Sequence, residues 1–401
     1  MSGPKLKIAI VVSHPIQHFC PQYVSYSQLD FCEIKVFFGS AMGMLKYHDK
    51  SFGKEIAWSN LNLDKFEHIF LNGDQILAAD KNLDAPNLEH ELEKYAPKIL
   101  ITYGYFQKLQ QRAQRWANNN NVIVAYISDS EQKRKRPFIT ELLKKYYVRS
   151  QFGRIQYFLS VGDANEDYYK YYGVHDRQII RNPFSIDVLL FEKVFADKAA
   201  HNKDIRAQYQ ISDNSIVLSV IGKLESFKRQ QDIIDAMEKL LHTELPIVLL
   251  IIGTGPNEAV LRQKAAGQKN KNIIFTGFVA PDILASYYAA TDIYIHASEK
   301  DAHSLSISEA IFMGCPVVVS DTCGSYGAND DVQEGKNGFV FKTGDIEALA
   351  GILNYLILHP HLIKELGKYS RQAGLHNQKV SHALGLKALT EIVEINNLTV
   401  V

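Results

Sequence analysis

Two acids, Asp301 and Glu309, stand with seven residues between them in the stretch HASEKDAHSLSISEAIFMGCPVVVSD, residues 296–321 of the 401-residue sequence. Residues 297–304 are small and polar, 305–313 carry a helical pattern, Gly314 suits a left-handed C-terminal cap, and Pro316 opens the apolar strand Val317-Val318-Val319. A loop therefore runs into a helix N-terminus. First-turn N–H groups lack partners within the helix, and together with the positive end of the helix dipole they make a place for a phosphate group. A second reading of the same residues stays open: Ser306 and Glu309 form an S-x-x-E capping box, which needs no ligand.

An acid, seven residues, Glu-Ala, a small apolar helix, Gly-x-Pro-Val-Val and a downstream glycine resemble the signature of retaining nucleotide-sugar glycosyltransferases of family 4. The resemblance implies an α/β chain of the GT-B fold, two Rossmann-like domains with parallel sheets facing across a cleft. It further implies that Asp301 contacts hydroxyls of the donor sugar, that Glu309 binds the nucleotide ribose, and that amides around Ser304, Leu305 and Ser306 hold the diphosphate. The sequence departs from the pattern in two ways. Asp301 stands where the family usually has Glu, and Ala302-His303-Ser304 replaces glycine-aromatic-glycine, so that His303 is an added donor to a phosphate or the sugar.

The elements that hold these residues must be built by a chain too long for one core, and two domains are expected. With 46% hydrophobic and 22% charged residues, the composition is that of an ordinary globular protein. The 44 basic residues balance 44 acidic ones, which argues against nucleic acid as a partner. Cys20, Cys32, Cys315 and Cys323 show neither C-x-x-C spacing nor a partner-histidine pattern, so buried reduced thiols are expected. No apolar run approaches the length of a membrane span, and residues 1–7 lack the apolar core of a signal peptide. A cytoplasmic protein, at most resting on the inner face of the cell membrane, is the expectation.

Residues 6–12 form a continuous apolar run that reads as a buried parallel strand. Ser-His-Pro-Ile-Gln-His follows and sets His14, Gln17 and His18 beyond the strand's carboxyl end, where open α/β sheets bind ligands. This segment resembles a subset of the family with a His-Pro-Ile-Gln motif and reads as an acceptor-side loop, or one that closes over the donor sugar. Residues 39–60 show no sustained period and read as an irregular acceptor-side excursion. Alternating helices and strands follow through residues 88–127. Asp129, just past the strand at 122–127, is the candidate for contact with the transferred sugar or the acceptor, with an N-cap for the next helix as the alternative. From Lys133 to Arg154 the chain holds eight Lys and Arg, interleaved with Phe138, Tyr146 and Tyr147. A solvated helix face accounts for this segment, as does peripheral contact with an anionic membrane or the holding of a phosphate-bearing acceptor.

Residues 179–187, with Asn182-Pro183, resemble the family's interdomain linker and set the expected domains at 1–182, 183–375 and a returning helix at 376–401. Past the strand at 215–221, Lys223 and Lys228 stand where the family places the two cations that neutralise the donor diphosphate. Lys223 replaces an arginine and so loses its bidentate fork. Gly253 closes the strand at 247–252, and Phe278 and Val279, after Phe-Thr-Gly, are the expected wall of the base pocket. Gly324 and Gly327 occupy the place of the family's glycine pair that approaches the donor. The implied reaction transfers a sugar from a nucleotide-diphosphate sugar to a glycan or lipid-linked acceptor with retention, as in cell-surface polysaccharide synthesis. Asp301, Lys228, His18 and Asp129 carry the chemistry, and neither metal nor other cofactor is required. A nucleotide-sugar epimerase of the same architecture and a noncatalytic nucleotide-sugar-binding protein are the alternatives.

Overall fold

The computed structural model describes residues 5–17, 19–44, 47–49, 54–56, 61–133, 137–241, 245–268 and 272–398. His18 and the basic residues Arg134, Lys135 and Arg136 lie outside the described residues. The chain divides into two compact units. The first takes Met1–Val161, Asn165–Ile186 and Gln378–Val401, and the second takes Gly162–Ala164 and Asp187–Asn377. The break thus falls after Ile186, four residues beyond the sequence boundary, and the chain returns at Gln378.

In the first unit the strands are β1 (Leu6–Val12), β2 (Cys32–Phe38), β3 (Tyr47–Asp49), β4 (Lys54–Ile56), β5 (His68–Phe70), β6 (Ile99–Tyr103), β7 (Ile123–Ser128), β8 (Tyr157–Ser160) and β9 (Ile179–Arg181). Seven of them form one parallel sheet in the order β5-β2-β1-β6-β7-β8-β9. The last five residues of β1 are all buried, because helices cover both faces of a parallel sheet. Val11, Leu100, Leu109, Tyr126, Phe152 and Phe158 lie in its core. Two readings change here. The excursion at 39–60 is not wholly irregular, since β3 and β4 pair antiparallel within it. The expected linker at 179–187 begins as β9, the edge strand of the sheet.

The second unit holds β10 (Ile216–Ile221), β11 (Ile247–Ile252), β12 (Ile273–Gly277), β13 (Ile293–His296), β14 (Val317–Ser320) and β15 (Gly338–Phe341). They form a six-stranded parallel sheet in the order β12-β11-β10-β13-β14-β15. This is the doubly wound Rossmann order, whose direction of winding reverses between the first and fourth strands, here β10 and β13. The loops leaving those two strands diverge to opposite sides and open a crevice between them. In the first unit the reversal lies between β1 and β6.

One side chain joins the places where the chain leaves and re-enters the first unit. The amide of Gln378 accepts from Ile186 N at 2.9 Å and donates to Phe184 O at 3.0 Å. The final helix, His382–Leu398, then packs on β9, with Gly385 so close to Arg181 that a Cβ would sit 2.4 Å from the Arg181 carbonyl oxygen. Among the described residues no single helix is long and apolar enough to cross a membrane.

Candidate functional site

The site in the second unit is built by the two strands at the winding reversal. After β10 a short 3-10 turn, Ser226–Lys228, meets the loop after β13: Glu299 N donates to Phe227 O at 2.8 Å, and Ser298 Oγ to the same oxygen at 3.3 Å. This register brings Lys228 Nζ to 2.5 Å from Asp301 Oδ2. The same carboxylate oxygen lies 2.8 Å from Nε2 of His296, the buried last residue of β13. Burial opposes the charge on Asp301, but the His296 hydrogen bond and the Lys228 ammonium outweigh it and hold the carboxyl well below its ordinary range. An ionised Asp301 makes Nε2 of His296 the donor in this contact. The Asp301 backbone is fixed as well, its carbonyl accepting from Gly324 N at 2.8 Å. At Gly324 an added Cβ would stand 1.7 Å from the Ala302 carbonyl oxygen. The role of this glycine is therefore to let two loop backbones touch.

The helix that follows is Leu305–Phe312, with Ser304 at the N-cap in extended conformation. The capping-box reading fails. Ser306 is the second helical residue, and its Oγ accepts from Tyr294 Oη at 2.7 Å and lies 2.9 Å from Ser304 Oγ. Glu309 reaches sideways to Tyr288, whose hydroxyl donates to Oε2 at 2.8 Å. Burial pushes the Glu309 carboxyl up to about 7, against the lowering effect of that hydrogen bond. Among the expected diphosphate amides, that of Ser304 is already used, donating to Ser325 Oγ at 2.8 Å. Leu305 and Ser306 supply the first-turn amides, which have no acceptor within the helix.

His303 does not extend a donor toward a ligand as expected. Its ring is buried, with Nε2 3.7 Å from Asp331 Oδ2 and Nδ1 3.5 Å from Ser325 Oγ. Asp331 also accepts from Ser308 Oγ and, at 2.9 Å, from Asn377 Nδ2, so the cluster locks the loop to the helix from beneath. Tyr288, Tyr294, His296, Ser325 and Asp331 escaped the sequence reading. Of these only His296, five residues before Asp301 at a strand end, carried a local signal.

The remaining candidates of this unit lie at the carboxyl ends of β10, β11 and β12. Lys223 follows β10 directly, its carbonyl accepting from Gln230 Nε2 at 2.9 Å. Gly253 has φ 135° and a Cβ there would lie 2.0 Å from the Gly222 carbonyl oxygen, so its part is the close approach of two strand ends. Phe278 is exposed and Val279 half-buried beyond β12. Asp301, Lys228, Glu309 and the helix N-terminus are brought together at the winding reversal. In the first unit, His14 follows β1, with Nδ1 2.9 Å from Ser13 Oγ, and burial lowers its pKa to about 4, so the ring is neutral near pH 7. Gln17 is half-buried in the same loop, and Asp129 is exposed just past β7. The N-cap alternative for Asp129 fails, because the next helix starts only at Phe138. Among the described residues no group of three or more His, Cys, Asp or Glu is placed to hold a metal ion.

Residues 201–373, nearly all of the second unit, match the family model described as glycosyl transferases group 1. The second unit carries a group 1 glycosyl transferase domain. The alpha-monoglucosyldiacylglycerol synthase of Streptococcus pneumoniae is 26% identical over 230 residues, which is 57% of this chain and 51% of that protein. The sulfoquinovosyl transferase of Arabidopsis thaliana is 31% identical over 153 residues, 38% of this chain and 28% of that one. The chain spans about half the length, or less, of the curated relatives it matches. Solved structures extend the likeness of fold over both units. A glycosyltransferase from Rickettsia africae superposes with a TM-score of 0.71 at 18% identity, covering 97% of this chain and 98% of that one. Anabaena HepE, solved with UDP and glucose, gives 0.67 at 16% identity, covering 96% and 99%. These likenesses fix the fold as GT-B.

Proposed function

We propose that the chain is a retaining glycosyltransferase that moves a sugar from a nucleotide-diphosphate sugar to a glycan or lipid-linked acceptor without a metal ion. The observation that carries this reading is the contact of Lys228 with Asp301 at the winding reversal, beside the helix opened by Leu305 and Ser306. A lysine ammonium has three N–H donors. One engages Asp301, which leaves two for a diphosphate held against the helix N-terminus, with Lys223 as the second cation. Asp301 orients the sugar hydroxyls, and Glu309 receives the ribose hydroxyls. The bond from the anomeric carbon to the diphosphate oxygen breaks as the acceptor oxygen bonds to the same face of that carbon. The acceptor proton passes to the departing diphosphate. Charge stabilisation of this leaving group and orientation of the sugar supply the rate enhancement. HepE, solved with UDP-glucose, and the synthase named for a diacylglycerol glycoside support a nucleotide-sugar donor and a lipid-linked acceptor.

Calorimetric titration with UDP, GDP, ADP and dTDP, each with and without magnesium, tests the reading on the wild type and Glu309→Ala. Selective binding of one nucleotide without magnesium, lost in the variant, is expected. Binding of none of them, or binding only with magnesium, overturns it. Slow release of sugar from the cognate donor, accelerated by an acceptor, separates a transferase from an epimerase or a noncatalytic binding protein.

A further inference from the structure

The helix Phe138–Phe152 in the first unit turns its apolar side chains the wrong way for a surface helix. Phe138, Ile139, Leu142, Leu143, Tyr146 and Tyr147 are all exposed, Phe138 by 81% and Tyr146 by 82%. Their spacing of i, i+1, i+4, i+5, i+8 and i+9 gathers them into one stripe about 14 Å long at 1.5 Å per residue. The opposite face meets the protein. There Val148 and Phe152 are buried in the core, Lys144 lies over the rings of Tyr168 and Tyr172, and Lys145 over that of Tyr171. Cations are thus drawn inward and sideways onto tyrosine rings while the outward face is left to hydrocarbon, the reverse of an amphipathic helix in water.

In the sequence the charge of this segment has one sign: residues 131–154 contain eight Lys and Arg against Glu131 and Glu141, an excess of six. Of the cations among the described residues, Lys144 and Lys145 rest on tyrosine rings, which leaves Lys133, Arg149 and Arg154 beside the stripe. Glu141 is turned to the protein side, accepting from Gln132 Nε2 at 3.0 Å and from Tyr172 Oη at 3.2 Å. We infer that this helix docks on an anionic lipid surface, its stripe lying at the boundary between head groups and acyl chains and the flanking cations meeting the phosphates. A contiguous exposed apolar patch marks a docking surface, and each juxtamembrane cation adds about 1 kcal/mol of attraction to an anionic leaflet. A second copy of this chain fits the patch less well, since self-association brings the same positive excess against itself. The inference rests on this helix alone, so it stands or falls separately from the donor chemistry of the second unit.

Co-sedimentation of the full chain with phosphatidylcholine vesicles, pure or containing about 30% phosphatidylglycerol, tests it, in low and high salt. The wild type is expected to bind the anionic vesicles and to leave them as salt rises. The double variant Leu142→Ser/Leu143→Ser is expected to lose binding by about tenfold or more, and Phe138→Ser/Tyr146→Ser to behave alike. A far-ultraviolet circular dichroism spectrum and a melting temperature equal to those of the wild type show that both variants are folded. The proposal is overturned if the wild type ignores anionic vesicles, if it binds neutral ones equally, if the variants bind like wild type, or if the wild type is a dimer in solution that the variants convert to monomers.

Discussion

On the proposed function Glu309 sets the stability of the second unit against its binding of ribose, and Glu309→Gln separates the two. The carboxyl is pushed from 4.5 to about 7 by burial. A raised folded-state value means that the folded protein holds a proton which the unfolded chain has already released, so the contribution to stability is complete below about pH 4.5 and is lost as pH rises through 7. A difference of about 2.5 pH units corresponds to about 3 kcal/mol at 1.36 kcal/mol per unit. Glutamine keeps the shape and can never ionise. Urea unfolding of both proteins at about pH 5 and about pH 8 is therefore expected to show near-equal stability at the lower pH and a gain of up to about 3 kcal/mol for the variant at the higher. Nucleotide binding should move the opposite way. Ribose hydroxyls donate to a carboxylate, so wild-type affinity is expected to rise with pH through about 7, and the variant to bind weakly at every pH. Taking the difference between two proteins cancels every other titrating group. A stability difference that stays flat from about pH 5 to about pH 8 would refute the argument that burial holds Glu309 protonated.

His296→Leu removes a charge-assisted bond to Asp301 worth about 1.5–3 kcal/mol and should lower kcat/KM for transfer roughly 10- to 100-fold while leaving affinity for the cognate nucleoside diphosphate intact. His296→Asn should restore part of the rate, and equal damage to nucleotide binding would show that the residue is merely structural. Gly324→Ala forces a Cβ into the Ala302 carbonyl and is expected to cost about 1–3 kcal/mol in unfolding and to weaken nucleotide binding. Gly351→Ala, on the exposed face of the helix Ile346–Leu358 with open space around it, should instead stabilise by about 1 kcal/mol without changing binding.

The strands at the centres of both sheets were legible because a strand buried on two faces reads as an unbroken apolar run, as in the residues of β1 and β10. The spacing of Asp301 and Glu309 was legible for a similar reason, since a loop and a helix start leave local marks. What escaped depends on contacts between distant segments. Nothing around Lys228 announces that its ammonium meets a carboxylate 73 positions later; that follows from β10 and β13 being neighbours. His303 was misread because Asp331, which turns its ring inward, comes from another loop. The Ser306 capping box matched by composition, but the helix begins two residues earlier, with Ser304 at the N-cap, and Tyr294 and Tyr288 take the side chains a cap would use. The basic residues after Gln132 were visible, whereas the outward turn of Leu142 and Leu143 was not, since it depends on where Tyr168 and Tyr172 stand.

The single amide of Gln378 that joins the exit at Ile186 to the return at the chain's far end has a consequence for synthesis. On the ribosome, every residue of the second unit is made before the last piece of the first. Emerging β1 to β9 must wait, with Arg181 and its neighbours uncovered, through about 190 residues of translation, some 10–40 s at 5–20 residues per second. The second unit can reach its fold within that interval. A nascent chain halted near Asn377 would therefore carry a finished second unit and an unsealed first one, and the arrival of the helix His382–Leu398 is the event that covers β9.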